Sequence, residues 1–199
     1  MAKYALIDVQ NTDTTTKKLL GFQVDWPKFY AFLKNDWKCD KVFLYTGVDE
    51  GDIDTTKMLE ELEKQGCIVR AKTVFAYKNK DRDVEVICSK CQHKFIEHID
   101  MGYNRKSNCD VELSVDAMDL AKKDDELSIF TGDGDFEFLI RAVNNRGAKV
   151  RIVSNGRKIK TGPRYYTSRL STKLRNLAAS NPKMVSFIDI DNLKFKIQK

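Results

Sequence analysis

The apolar positions of this chain change period in a regular way. Short β-prone runs alternate with stretches whose apolar residues recur every three or four positions, and polar or glycine-bearing turns separate them. Lys3-Tyr-Ala-Leu-Ile-Asp8 is the first run; it ends in an acid, and Asn11 follows three residues later. Asp25 is a candidate N-cap for a helix carrying Trp26, Phe29, Tyr30, Phe32 and Leu33, with Pro27 tolerated in its first turn. Lys41 to Thr46 reads as a second strand stopped by Gly47. Asp54 or Thr55 can cap a helix with Met58, Leu59 and Leu62, which Gly66 ends, and Cys67 to Phe75 is a third strand.

Further on, Val111, Val115 and Met118 fall at i, i+4 and i+7, and Leu120 and Ala121 widen that predicted helical face. Leu127, Ile129 and Phe130 make a fourth strand that runs into Thr131-Gly-Asp-Gly-Asp135. Phe136, Leu139, Ile140 and Val143 then predict a helix with one buried face, closed by Gly147, and Val150 to Val153 a fifth strand. Ser168 is a candidate cap for a last helix with Leu170, Leu174, Leu177 and Ala178. Asn181-Pro182 breaks it, and Phe187-Ile-Asp-Ile190 reads as a short strand or docked tail.

Five strands alternating with helices predict an α/β fold, a mostly parallel sheet covered on both faces. Residues 76–104 depart from the pattern: charged residues and two short β-like pieces predict a β-hairpin insertion. At 199 residues, one domain over 1–180 followed by a tail at 181–199 is the expectation. No stretch approaches the roughly 20 apolar residues of a bilayer span. The first residues run straight into a strand without a signal-peptide core, so a cytoplasmic protein with no membrane partner is expected. Five cysteines, an odd number, do not describe a disulfide framework; Cys39, Cys67 and Cys109 read as small buried hydrophobes.

Charge changes the picture. From Arg141 onward there are 15 Lys and Arg against 2 Asp and Glu (+13); before it there are 20 against 27 (−7), which together make the net +6. An acidic body with a basic last third suits a polyanionic partner bound along one surface.

The acids have a pattern of their own. Asp8 ends the first strand, Asp133 and Asp135 follow the fourth, and Asp110 starts the helix before it. In a parallel α/β fold, strand ends and helix starts share one edge of the sheet. Taken singly, each acid can be a helix cap. Taken together they suit hard divalent ions such as Mg²⁺ or Mn²⁺, which orient a scissile phosphate and activate water.

These residues resemble a known family. Ile7-Asp8-Val-Gln-Asn11 is similar to the "I-D-G-x-N" opening of NYN domains, a branch of the PIN-like nucleases. Lys106-Ser-Asn-Cys-Asp110-Val-Glu-Leu-Ser-Val-Asp116-Ala-Met-Asp-Leu-Ala121 resembles the family's "K-x-x-V-D-V-x-L-x-x-D-x-x-x-L-A" helix. Phe130-Thr-Gly-Asp133-Gly-Asp135-Phe136 resembles its "S-G-D-S-D-F" turn. The likeness covers most of residues 3–179 and is nearest the bacterial LabA-like members. Val9-Gln10 departs from the usual Gly-containing turn, and Cys109 stands where Val is common.

The resemblance implies a PIN-like three-layer α/β/α sandwich with a five-stranded sheet, and a Mg²⁺- or Mn²⁺-dependent endoribonuclease. It implies Asp8, Asp110, Asp133 and Asp135 as catalytic and metal-binding acids. Asn11 would position the first carboxylate or the phosphate, Lys106 would contact phosphate, and Asp116 would lie two helical turns from the metal. RNA is the expected partner, with homodimer formation left open.

Two features lie outside the motifs. Cys88-Ser-Lys-Cys91-Gln-His93, with His98, has the composition of a small structural Zn²⁺ site, with a reduced, unliganded hairpin as the alternative; the remaining ligands would come from Cys67, the histidines or a symmetry mate. Arg157, Lys158, Lys160, Arg164, Tyr165, Tyr166, Arg169, Lys173 and Arg175 interleave cations with aromatics, as sequence-tolerant single-strand binders do. Of these, Arg157, Lys158, Arg164 and Tyr165 are the candidate RNA contacts. Two rival readings remain: an RNA-binding adaptor that does not cut, and a phosphatase-like protein with Asp8 as nucleophile. The second would want another Asp at position 10, which is Gln.

Overall fold

A computed structural model describes residues 1–160 and 166–199, leaving aside the side chains at 105, 106, 159, 166 and 167. Strand β1 (Lys3–Asp8) passes into the short helix α1 (Val9–Asp13), which continues as a π-helical turn over Thr14–Leu19. Then come α2 (Trp26–Asn35), β2 (Lys41–Val48), α3 (Ile53–Lys64) and β3 (Ile68–Thr73). The insertion follows as two antiparallel ribbons in series. Its outer strands are β4 (Phe75–Lys78) and β7 (Tyr103–Lys106), and its inner strands are β5 (Arg82–Ile87) and β6 (Lys94–Ile99). The chain resumes with α4 (Asp110–Leu120), β8 (Glu126–Phe130), α5 (Glu137–Asn145) and β9 (Lys149–Ser154). A two-residue ladder joins β10 (Ile159–Lys160) to β11 (Tyr166–Thr167). The helix α6 (Thr172–Ser180), β12 (Val185–Asp189) and α7 (Lys194–Ile197) complete the order.

The central sheet has six parallel strands in the order β12-β9-β8-β1-β2-β3. This is one strand more than the five that the hydrophobic pattern predicts. The sixth is Val185–Asp189, which pairs along β9 from Val185↔Val150 to Asp189↔Ser154. Numbered along the sheet, the order is that of a doubly wound fold, and it reverses between β1 and β8.

Alternation along the strands sorts the core into two layers. Leu6, Phe43, Tyr45, Leu127, Ile129, Val150 and Ile152 face α4, α5 and α6. Ala5, Ile7, Val42, Leu44, Phe130 and Val153 face α2, α3 and α7. With both faces covered, the strands read as nearly continuous apolar runs. The caps are Asp25, which accepts from Lys28 N (3.0 Å), Asp52 rather than Asp54 or Thr55, and Ser171 rather than Ser168. Phe136, Leu139, Ile140 and Val143 are all buried, as their spacing predicts.

The helix α4 differs from its sequence reading. Val111 and Val115 are exposed (70% and 54%), and the buried stripe is Cys109, Leu113, Ala117 and Ala121, one step round the helix. Cys39, Cys67 and Cys109 are buried; lack of solvation pushes the Cys39 thiol up to about 11 and that of Cys67 up to about 12. Among the described residues no helix is long and apolar enough to cross a membrane.

Candidate active site

The reversal of strand order leaves a crevice at the carboxyl edge, and the cleft of about 280 Å³ found there is lined by Asp8, Asp110 and Asp133. Each acid arrives on a different element. Asp8 is the last residue of β1 and the N-cap of α1, its Oδ1 accepting the Asn11 N–H at 2.9 Å. Asp110 opens α4, and Asn108 holds it at both ends: the Asn108 amide donates to Asp110 Oδ2 (2.8 Å), and Asp110 N–H donates to Asn108 Oδ1 (2.7 Å). Asp133 caps the turn after β8, accepting the Asp135 N–H on Oδ1 at 3.0 Å. In each carboxylate the second oxygen has no hydrogen-bond donor among the described residues.

Asn11 ties two of these pieces together. Its N–H holds Asp8, and its side-chain oxygen accepts the Gly132 N–H (3.1 Å) across the switch point between β1 and β8. It therefore sets the separation of Asp8 from the acidic turn. The turn itself is fixed by a main-chain crossing: a Cβ on Gly132 would lie 2.1 Å from the carbonyl oxygen of Arg169, and Ser171 N–H donates to Gly132 O (2.9 Å). Across the cleft, a Cβ on Gly47 would meet Ser107 Oγ at 1.9 Å, so glycine is what lets β2 approach the segment leading to Asp110.

That crossing brings Arg169 into the cleft beside the acids. Asp8 reports the balance. Burial, partly opposed by the Asn11 N–H, and then the charges of Asp110 and Asp133 raise its pKa to about 6, while Arg169 pulls it back. A value near 6 leaves Asp8 mainly ionised at neutral pH. Arg169 itself forms no salt bridge among the described residues, and its Nε is buried without a hydrogen-bond partner. In the sequence it stood only as one cation of the basic stretch; nothing local distinguished it from its neighbours.

Other candidates fall elsewhere. Asp135 is exposed and does not line the cleft; its N–H serves Asp133. Asp116 is committed, accepting from Tyr45 Oη (3.0 Å) and from Arg70 Nε and Nη2 (3.1 and 3.2 Å), and it lies off the cleft as expected two turns into its helix. Arg157 pairs with Asp191 (3.0 Å) and Asp189 (3.8 Å) at the end of β12, and Lys158 is exposed in the loop after β9. Arg164 and Tyr165 lie outside the described residues, as does the side chain of Lys106 on β7.

Among the described residues no three His, Cys, Asp or Glu side chains are grouped to hold a metal ion as they stand. The three cleft acids share a space without closing on a common point. Within one chain, Cys88, Cys91, His93 and His98 likewise form no such group. His98 bonds Asp83 (2.5 Å) on the neighbouring strand. It stands four residues, about 13 Å, along β6 from Lys94 at the tip, beyond reach of the two sulfurs.

Comparison with known proteins gives a family and a fold. The family model described as NYN domain matches residues 4–169. A solved protein of unknown function from Vibrio parahaemolyticus is 19% identical and superposes with a TM-score of 0.63, covering 100% of this chain and 96% of that one. Phosphofructokinase-2 from Escherichia coli is 11% identical over 78% of this chain and 54% of its own, with a TM-score of 0.38, too low to show a common fold. No curated protein matches the chain.

Proposed function

This chain belongs to the NYN domain family, and from that premise we propose that it is a divalent-metal-dependent endoribonuclease that hydrolyses RNA phosphodiester bonds in the cleft at the switch point. NYN domains are generally nucleases, so phosphodiester hydrolysis is the activity the family supports. The finer reading rests on one observation: three carboxylates from three separate elements share a cleft with a cation that has no salt-bridge partner among the described residues. The motif wording makes the LabA-like branch part of the same proposal.

The donor set fits a hard divalent ion, Mg²⁺ or Mn²⁺. It is all oxygen, each acid keeps one uncommitted oxygen, and half-buried Asp8 has two like charges for neighbours. Asp8, Asp110 and Asp133 would hold the ion, which when bound supplies charge neutralisation at the phosphate and a bound water of lowered pKa.

The remaining work falls to the chain. Asn11 and Asn108 fix the orientation of Asp8 and Asp110, which limits the reorganisation needed on binding. Arg169 would bind a non-bridging phosphate oxygen, and its field helps to keep Asp8 ionised. Water is the nucleophile, because the protein groups that could attack are unsuited. Burial raises the pKa of Cys109, whose thiol donates to the carbonyls of Thr46 (3.5 Å) and Arg70 (3.7 Å). Burial and Asp116 push the Tyr45 hydroxyl far above its ordinary range. Exposed cations beyond the cleft, Lys158 and Lys173 among them, would carry the RNA backbone.

The test is cleavage of a labelled RNA in Mg²⁺ and in Mn²⁺ by Asp110→Asn and Asp133→Asn. Each is expected to lose more than about 100-fold in rate with the fold intact. A wild-type rate in Asp133→Asn would remove the cleft from the mechanism. RNA binding without EDTA-sensitive cleavage in the wild type would favour the adaptor reading.

A further inference from the structure

The insertion carries a feature that the nuclease reading does not use. Among the described residues, strands β5 and β6 pair only with each other, and every residue of β6 is exposed, so neither face of that strand is covered. Apolar side chains stand on both faces. Val84, Val86, Phe95 and Ile99 share one, while Ile87 and Ile96, the latter 61% exposed, stand on the other. A lone two-stranded ribbon is at best marginally stable in water, and uncovered apolar faces mark a surface that meets something.

At the tip of this ribbon the chain folds into a knuckle. Cys88 N–H donates to His93 O and Gln92 N–H to Cys88 O, both at 2.9 Å, with Gln92 in the left-handed region (φ 58°). Both thiols are free and stand at this tip, Cys88 half-buried and Cys91 exposed. Two sulfurs on one Cys-x-x-Cys turn are half of a tetrahedral structural zinc site.

The described residues of one chain do not supply the other half. Cys39, Cys67 and Cys109 are buried in the two core layers, and His98 is held by Asp83 toward the base of the ribbon. No group of three possible ligands forms among the described residues. A second copy of the chain offers what is missing: an identical pair of sulfurs at an identical exposed tip, related by a two-fold axis through the ion. We propose that Cys88 and Cys91 of two chains close on one Zn²⁺, a four-cysteine site that joins two copies tip to tip and lets their uncovered ribbons lie against each other. The thiols give up their protons as the ion binds, so no oxidant or reductant is needed.

The test uses the full chain, purified under reducing conditions without a histidine tag. Zinc content and solution mass are read together. One Zn²⁺ per two chains in a dimer is expected, with chelation giving monomers and added Zn²⁺ restoring the dimer. Cys88→Ser and Cys91→Ser should each be monomeric and zinc-free, with the circular dichroism of the α/β body unchanged. His93→Ala and Asp133→Asn should keep both metal and dimer. Replacement by Co²⁺ should give the absorption of a tetrahedral all-thiolate site. One Zn²⁺ per monomer, zinc lost in His93→Ala, no zinc at all, or a dimer that survives both chelation and Cys88→Ser would overturn the proposal. Asp133→Asn separates the two readings: loss of cleavage with the dimer intact leaves each standing on its own.

Discussion

Replacing Asp8 by Asn should make the metal-free protein more stable while abolishing its activity. The folded protein raises the Asp8 pKa from 3.8 to about 6, first through burial and then through Asp110 and Asp133. A raised carboxylate pKa means that the fold prefers the protonated form. Ionisation therefore costs stability, and the cost develops as pH rises from about 4 through about 6 and is complete above that. The rise from 3.8 to about 6 corresponds to about 3 kcal/mol at neutral pH. Asn cannot ionise, yet its oxygen can still accept the Asn11 N–H that now reaches Asp8 Oδ1 at 2.9 Å. For a chain of this length, 3 kcal/mol is about 6–12 °C in Tm. The assay is a pair of thermal melts in EDTA at pH 7.5 and at pH 4. Asp8→Asn should melt higher at pH 7.5, and the gap should close at pH 4. Adding Mg²⁺ should narrow it at pH 7.5, because only the wild type would gain from the ion. An Asp8→Asn variant no more stable than wild type in EDTA, or a gap of equal size at both pH values, would show that Asp8 bears no such strain.

Three further outcomes test separate parts of the site. Arg169→Ala should raise KM more than it lowers kcat and reduce the slope of log affinity for RNA against log salt by about one, as for a lost phosphate contact; fluorescence anisotropy across a salt series measures it. Asn108→Ala leaves Asp110 in place but unheld, and should raise the Mn²⁺ concentration for half-maximal cleavage about 10- to 100-fold, with the rate recovering at saturating metal. Gly132→Ala sets a Cβ 2.1 Å from a backbone oxygen and should cost about 3 kcal/mol or more in urea unfolding.

Much of the edge geometry was legible because topology does the gathering. Once β1 and β8 are read as parallel strands, Asp8 and Asp133 must end on the same edge, and Asp110 opens a helix that starts there. What could not be read depends on rotation or register. Val111, Val115 and Met118 and the buried set Cys109, Leu113, Ala117 and Ala121 are both helical stripes, and only the sheet decides which one faces it. Asp135 belongs to the same acidic turn as Asp133, but the turn directs only one of the two into the cleft. His98 looked close to Cys91 in sequence, while hairpin pairing carries it down the strand to Asp83. Arg169 was hidden for a different reason: its approach follows from a contact with Gly132, 37 positions away, with α5 and β9 among the elements between them.

The crossing at Gly132 has a consequence for how such a cleft can change over time. The cation and the acidic turn are bound to each other through main chain, with the Arg169 carbonyl against Gly132 and Ser171 N–H on Gly132 O. Side-chain substitutions can alter the reach of residue 169, but not the point from which it reaches. The spacing of positive and negative charge is thus inherited as a backbone property, insulated from ordinary sequence drift. Diversification of substrate preference would be expected instead at Gln10 and Thr14, which also line the cleft and can be exchanged without moving that crossing.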